Sequence, residues 1–135
     1  MADLEGGCRC GAVRYRAGDR PFDVTHCHCV DCRRSSAAPF MTWFSVAAPS
    51  LVIMQGTLVR HASSPGVERT FCGRCGTPLT YRRHDRPDVD VTACSLDDPA
   101  ALAPEDHIFT QQQVPWVRLA DGLPRHAGAR PPVVA

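Results

Sequence analysis

The chain has 135 residues, 44% of them hydrophobic and 21% charged, with a formal charge of +1 and eight cysteines. That length suits one domain, residues 1–135, able to bury roughly two-thirds of its unfolded surface, and so balanced a charge argues against a nucleic-acid partner, which calls for a clustered basic surface. No apolar run approaches the roughly 18 residues of a membrane span, and Met1 to Glu5 lacks the basic and apolar regions of a signal peptide. A cytoplasmic protein with no membrane partner is therefore expected, and in that reducing compartment the cysteines read as metal ligands sooner than as disulfides. All fifteen basic residues are arginine, for which a GC-rich coding sequence is the simplest account.

The predicted elements are short strands. Gly6-Gly7-Cys8-Arg9-Cys10-Gly11 opens the chain, and in an extended segment residues i and i+2 face the same way, so Cys8 and Cys10 can aim both sulfurs at one ion. Val13, Tyr15 and Ala17 alternate with Arg14 and Arg16 as in a half-buried strand. After a turn at Gly18-Asp19-Arg20-Pro21, Phe22 to Thr25 leads into His26-Cys27-His28-Cys29-Val30-Asp31-Cys32. Arg33 to Ala38 reads as a helical turn stopped by Pro39. Phe40 to Val46 and Leu51 to Met54 are strands by their aromatic and β-branched content; Phe40, Trp43 and Phe44 are expected to share one core face, and Trp116 is a further core candidate. Thr57 to His61 and Val67 to Phe71 flank a hairpin turn that delivers Cys72-Gly73-Arg74-Cys75-Gly76, a zinc-knuckle pattern with glycine after the second cysteine. Thr77 to Tyr81 and Val89 to Cys94 follow as strands, and Asp97-Asp98 is placed to cap a helical turn over 99–102. The ordered core is expected over about 6–124, with a loose tail over 125–135.

Cys27, Cys29 and Cys32 crowd three thiols into six residues, which suits a soft ion, zinc first. Cys8, Cys10, Cys72 and Cys75 supply the four ligands of a closed tetrahedral site, which leaves the central trio one short. Two zinc ions per chain are therefore expected, one closed and one with an open position. The alternative is a non-catalytic module in which both zinc ions are structural, the trio being completed by a histidine or by Cys94. His26 and His28 alternate with the cysteines and so face away from the metal in an extended chain, which favours supporting or surface roles. Arg33 and Arg34 are placed either to receive carboxylates of a thiol substrate or to compensate the charge of the anionic thiolate site.

Four segments together carry a family resemblance: Gly6 to Gly11, Cys27-His28-Cys29-Val30-Asp31-Cys32-Arg33-Arg34, Phe71-Cys72-Gly73-Arg74-Cys75-Gly76-Thr77-Pro78-Leu79, and Ser95-Leu96-Asp97-Asp98-Pro99. With them the chain resembles the glutathione-dependent formaldehyde-activating enzyme family, which includes centromere protein V. The resemblance implies a mostly-β fold of small zinc-stapled antiparallel sheets, of tent or sandwich type, with few short helices. It also implies structural zinc on Cys8, Cys10, Cys72 and Cys75 and a second zinc on Cys27, Cys29 and Cys32. The implied activity is that of a carbon–sulfur lyase or synthase, condensing a glutathione-like thiol with a small aldehyde such as formaldehyde. In that reading the zinc holds the thiol as thiolate, and His26, His28, an ordered water or, last in order, His107 stands as a proton donor to the alkoxide. Where the chain has Ser36-Ala37-Ala38, the family usually carries a glycine.

Overall fold

A computed structural model describes residues 2–132. The chain forms two sheets. A three-stranded sheet contains β1 (Glu5–Gly7), β2 (Arg14–Arg16) and β5 (Val52–Gln55). A seven-stranded sheet contains β3 (Phe22–Cys27), β4 (Met41–Ala47), β6 (Leu58–Ser64), β7 (Val67–Cys72), β8 (Pro78–Arg83), β9 (Asp88–Thr92) and β10 (Asp106–Ile108). Its order is β10-β3-β4-β9-β8-β7-β6, antiparallel except where β10 runs parallel to β3. Among the described residues a single α-helix, α1 (Val30–Ser36), follows β3 and begins within the cysteine cluster. The result is the mostly-β, largely antiparallel architecture expected from the alternating patterns.

The two faces of the large sheet have different tasks. Phe44 and Val46 on β4 and Val89 and Val91 on β9 point to one face, where they join Val13, Tyr15 and Ala17 of the small sheet in the main core. Phe44, Val91 and Ala17 are wholly buried. The opposite face carries Thr25 and Cys27 from β3, Trp43 and Ser45 from β4, Asp90 from β9, Tyr81 from β8 and Arg69 from β7, which line a cleft. Trp43 and Phe44 are consecutive, so the pleat sends them to opposite faces and they do not share one core face as expected.

Two other expectations are corrected. Trp116 is 72% exposed and is not a core residue. The segment from residue 125 is not loose among the described residues, because it lies along β10: the His126 amide donates to the His107 carbonyl (2.8 Å) and the Phe109 amide to that of Gly128 (2.9 Å). Arg130 then pairs with Asp106 (2.6 Å) and Asp23. The proline-rich composition conceals this, since an extended segment needs only backbone partners and one charged anchor. The last three residues of the expected tail lie outside the described residues. No helix among the described residues is long and apolar enough to cross a membrane.

Candidate functional site

The first cysteine group draws its sulfurs from turns of both sheets. Cys8 and Cys10 lie in the turn between β1 and β2, Cys72 ends β7, and Cys75 lies in the turn between β7 and β8. One sulfur from each lies within 4.8 Å of the others. Cys8 and Cys10 sulfurs are 3.6 Å apart, and those of Cys10 and Cys72 3.8 Å. A tetrahedron with metal–sulfur bonds of about 2.3 Å has edges of about 3.8 Å, which these two separations match, so the donor set suits zinc. Both turns aim amides at sulfur: Val13 N–H donates to Cys8 (3.2 Å), and Arg74 and Cys75 N–H donate to Cys72 (3.3 and 3.4 Å). Gly11 and Gly76, each at φ +80°, close the two turns in the left-handed conformation that glycine adopts without strain. The Thr77 hydroxyl and amide, helped by the Cys10 backbone, bring the Cys75 thiol down to about 5.

The second group lies on the floor of the cleft, whose volume is about 750 Å³. Cys27 ends β3, Cys29 caps the N-terminus of α1, and Cys32 sits in its first turn. Cys29 sulfur accepts from Cys27 sulfur (3.4 Å) and from the Cys32 amide (3.3 Å). The Cys27 and Cys32 sulfurs, with the Cys32 and Asp31 amides, hold the Cys29 thiol far below the ordinary thiol range, against its burial. Cys27, which donates to Cys29, lies beside Cys32 and is buried, is pushed far above it. Without a cation the three cannot ionise together, whereas a soft divalent ion would stabilise three thiolates at this spacing. All three sulfurs lie within 4.8 Å of one another, and no fourth histidine, cysteine or carboxylate donor joins the group among the described residues.

Around the trio the cleft wall is apolar and then charged. Trp43, Tyr81, Ile108 and Phe109 pack against Cys27 and Cys32. Phe109 reaches this position with φ +55°, an uncommon conformation for a bulky side chain. Arg69 lies 4.7 Å over the Tyr81 ring, donates to Ser35 (3.1 Å) and reaches Asp31 (3.8 Å), tying α1 to the sheet across the rim. Burial keeps the Tyr81 phenol above its ordinary value, so it is protonated at neutral pH. Further along the same face Asp90 accepts from the Ser45 hydroxyl (2.6 Å), and burial raises its carboxyl to about 6.

The histidines stand elsewhere. His28 is wholly buried on the other side of β3, its Nε2 2.9 Å from His107 Nδ1, and does not line the thiol cleft. Burial, then the neighbouring His107 and His26, lower it to about 4, so it is a neutral imidazole at neutral pH. Its position corrects the expectation of a proton donor at the trio: the side chain between two cleft-facing cysteines must point the opposite way. Arg33 and Arg34 are likewise not brought to the thiols. They line a separate shallow depression with Pro39, Val114 and Trp116, because each helical residue rotates about 100° away from the cleft-facing Cys32. Cys94 is exposed and joins neither cysteine group. Tyr81, Arg69, Phe109 and Asp90 are cleft residues that spacing alone did not single out. The period-2 alternation puts Tyr81 and Arg69 on definite faces, but only the strand order shows that their face is the one Cys27 shares.

A model of the family described as glutathione-dependent formaldehyde-activating enzyme matches residues 3–112. A Halomonas elongata protein that carries the family's name is 32% identical over 127 residues, covering 86% of this chain and 80% of its own. A Schizosaccharomyces pombe protein, named as an uncharacterized lyase, is 36% identical over 81 residues, 60% of this chain and 58% of the relative, so the chain spans little more than half of that relative's length. The crystal structure of a Rhodobacter sphaeroides protein superposes with a TM-score of 0.58 at 23% identity, covering 69% of this chain and 87% of that one, a likeness of fold.

Proposed function

Since the chain belongs to the glutathione-dependent formaldehyde-activating enzyme family, we propose that it is a zinc enzyme joining a glutathione-like thiol to a small aldehyde such as formaldehyde, and cleaving the same carbon–sulfur bond in reverse. The observation that carries this reading is the three-sulfur group at the floor of the cleft, to which no fourth donor is added among the described residues. Cys27, Cys29 and Cys32 would hold a zinc ion, which would lower the pKa of a thiol brought to the cleft.

The remaining work falls to the chain's own side chains. Trp43, Ile108 and Phe109 exclude water around the reacting sulfur, so an aldehyde there meets thiolate in preference to hydration. As sulfur attacks the carbonyl carbon, the C–S bond forms and the C=O electron pair moves onto oxygen. Tyr81, which lines the cleft and whose phenol is protonated at neutral pH, gives its proton to that oxygen and recovers one from solvent, which balances the proton lost by the thiol. Arg69, Arg83 and Arg86 on the same wall suit the carboxylates of a peptide-like thiol.

The test is the rate of glutathione–formaldehyde exchange followed by NMR with zinc-loaded protein, against the uncatalysed rate. Acceleration is expected in the native chain, background in Cys29→Ser, and a loss of about a hundredfold in Tyr81→Phe. A native rate equal to background refutes the reaction, and an unchanged rate in Tyr81→Phe refutes the role given to that residue.

A further inference from the structure

On the face of β3 opposite the cysteine trio, His26, His107 and Asp121 bring three donor groups together, one ligand atom from each lying within 4.8 Å of the others. His26 and His107 are register partners on the parallel strands β3 and β10, so the pleat sends both side chains to the same side of adjacent strands. Their rings stack at 4.7 Å and 28°. Asp121 comes from the segment that folds back over β10, and its Oδ2 is 2.7 Å from His107 Nε2. The Leu123 amide, followed by His107, holds its carboxyl below the usual range, so it is an anion at neutral pH.

The hydrogen bonds behind the two imidazoles are of the kind that orient metal-binding histidines. His26 Nδ1 is bonded to the Thr42 hydroxyl (2.7 Å) and His107 Nδ1 to His28 Nε2 (2.9 Å). With each Nδ1 engaged, Nε2 is the nitrogen left for an ion, and the outer partner fixes both the ring angle and the tautomer. Two imidazoles and one carboxylate are a borderline-soft donor set with open positions, suited to a divalent first-row ion. It differs in kind from the two thiolate groups. Asp121 is 39% exposed, which gives an ion a path from solvent.

We propose that His26, His107 and Asp121 form a third metal site, for zinc or a similar divalent transition ion, which clamps the Asp121 segment to the edge of the large sheet. A plain hydrogen bond from His107 Nε2 to Asp121 accounts for two of the three residues but gives His26 and its Thr42 bond no part. Whichever way the proton runs between His28 and His107, His28 Nδ1 has no hydrogen-bond partner among the described residues, so that atom does not decide between the two. The site is independent of the reaction proposed at the trio.

The experiment starts from protein carrying zinc on both thiolate groups and titrates it with cobalt(II), reading absorption and metal content after gel filtration. A third equivalent is expected, with ligand-field bands and no added sulfur-to-cobalt charge transfer. Asp121→Asn and His26→Gln should each weaken it at least about tenfold, and Thr42→Val, which removes only the outer hydrogen bond, about tenfold. Far-ultraviolet circular dichroism checks that the variants are folded, and retention of two zinc ions checks that the thiolate groups are intact. The absence of a third equivalent, cobalt uptake with charge-transfer bands alone, or an affinity unchanged in the three folded variants would overturn the proposal.

Discussion

Replacing Cys8 and Cys10 together by serine should release one end of the staple between the small sheet and the β7–β8 turn. A zinc on this group would cross-link residues 62 apart in sequence, and a constraint closing a loop of that length lowers the entropy of the unfolded chain, which is worth on the order of 4 kcal/mol of stability. The trio ties residues only five apart, Cys27 to Cys32, and by the same relation its paired replacement at Cys27 and Cys29 costs roughly 2 kcal/mol. Both doubles delete two thiolates, so the comparison isolates loop length from ligand count. Urea unfolding with excess zinc, repeated with a chelator, measures the difference. The Cys8→Ser, Cys10→Ser chain should lose about twice as much stability as the Cys27→Ser, Cys29→Ser chain, and the gap should close when zinc is removed from all of them. Equal losses, or a gap that survives chelation, would refute the assignment of the first group as the long-range staple.

Asp90→Asn should change the pH dependence of folding. The native carboxyl keeps its proton to about 6 while the unfolded chain releases it near 3.8, so between those values the native state binds the extra proton and stability falls as pH rises. From pH 4 to 7 the native chain should lose roughly 2 kcal/mol relative to the asparagine variant, read by urea unfolding at each pH; parallel profiles would show that Asp90 is not buried in this way. Phe44→Ala, at a wholly buried position shared by both sheets, should cost about 4 kcal/mol, seen as a lower urea midpoint at an unchanged slope.

What the sequence disclosed was local chemistry. Cysteine spacings declare ligand pairs because a chelating turn is built within three or four residues, and Val13, Tyr15 and Ala17 declare a buried face because a strand repeats every two. Arg33 and Arg34 misled for a related reason: adjacency to Cys32 in sequence is not adjacency across a helix. Asp121 and Tyr81 were silent, since each meets its partners only through the order β10-β3-β4-β9-β8, which no local pattern encodes. Trp116 misled because a large aromatic ring is read as core by composition, whereas its burial depends on which neighbours reach it.

The chain's two tryptophans divide between extremes of environment. Trp43 lies almost buried beside Cys32 and Tyr81, and Trp116 stands 72% exposed beyond α1. The molecule thus carries two intrinsic fluorophores of different colour. A thiol or metal entering the cleft should quench or shift the blue emission of Trp43, while acrylamide silences the red emission of Trp116. Occupancy of the cleft can then be followed optically, without a label and without waiting for turnover.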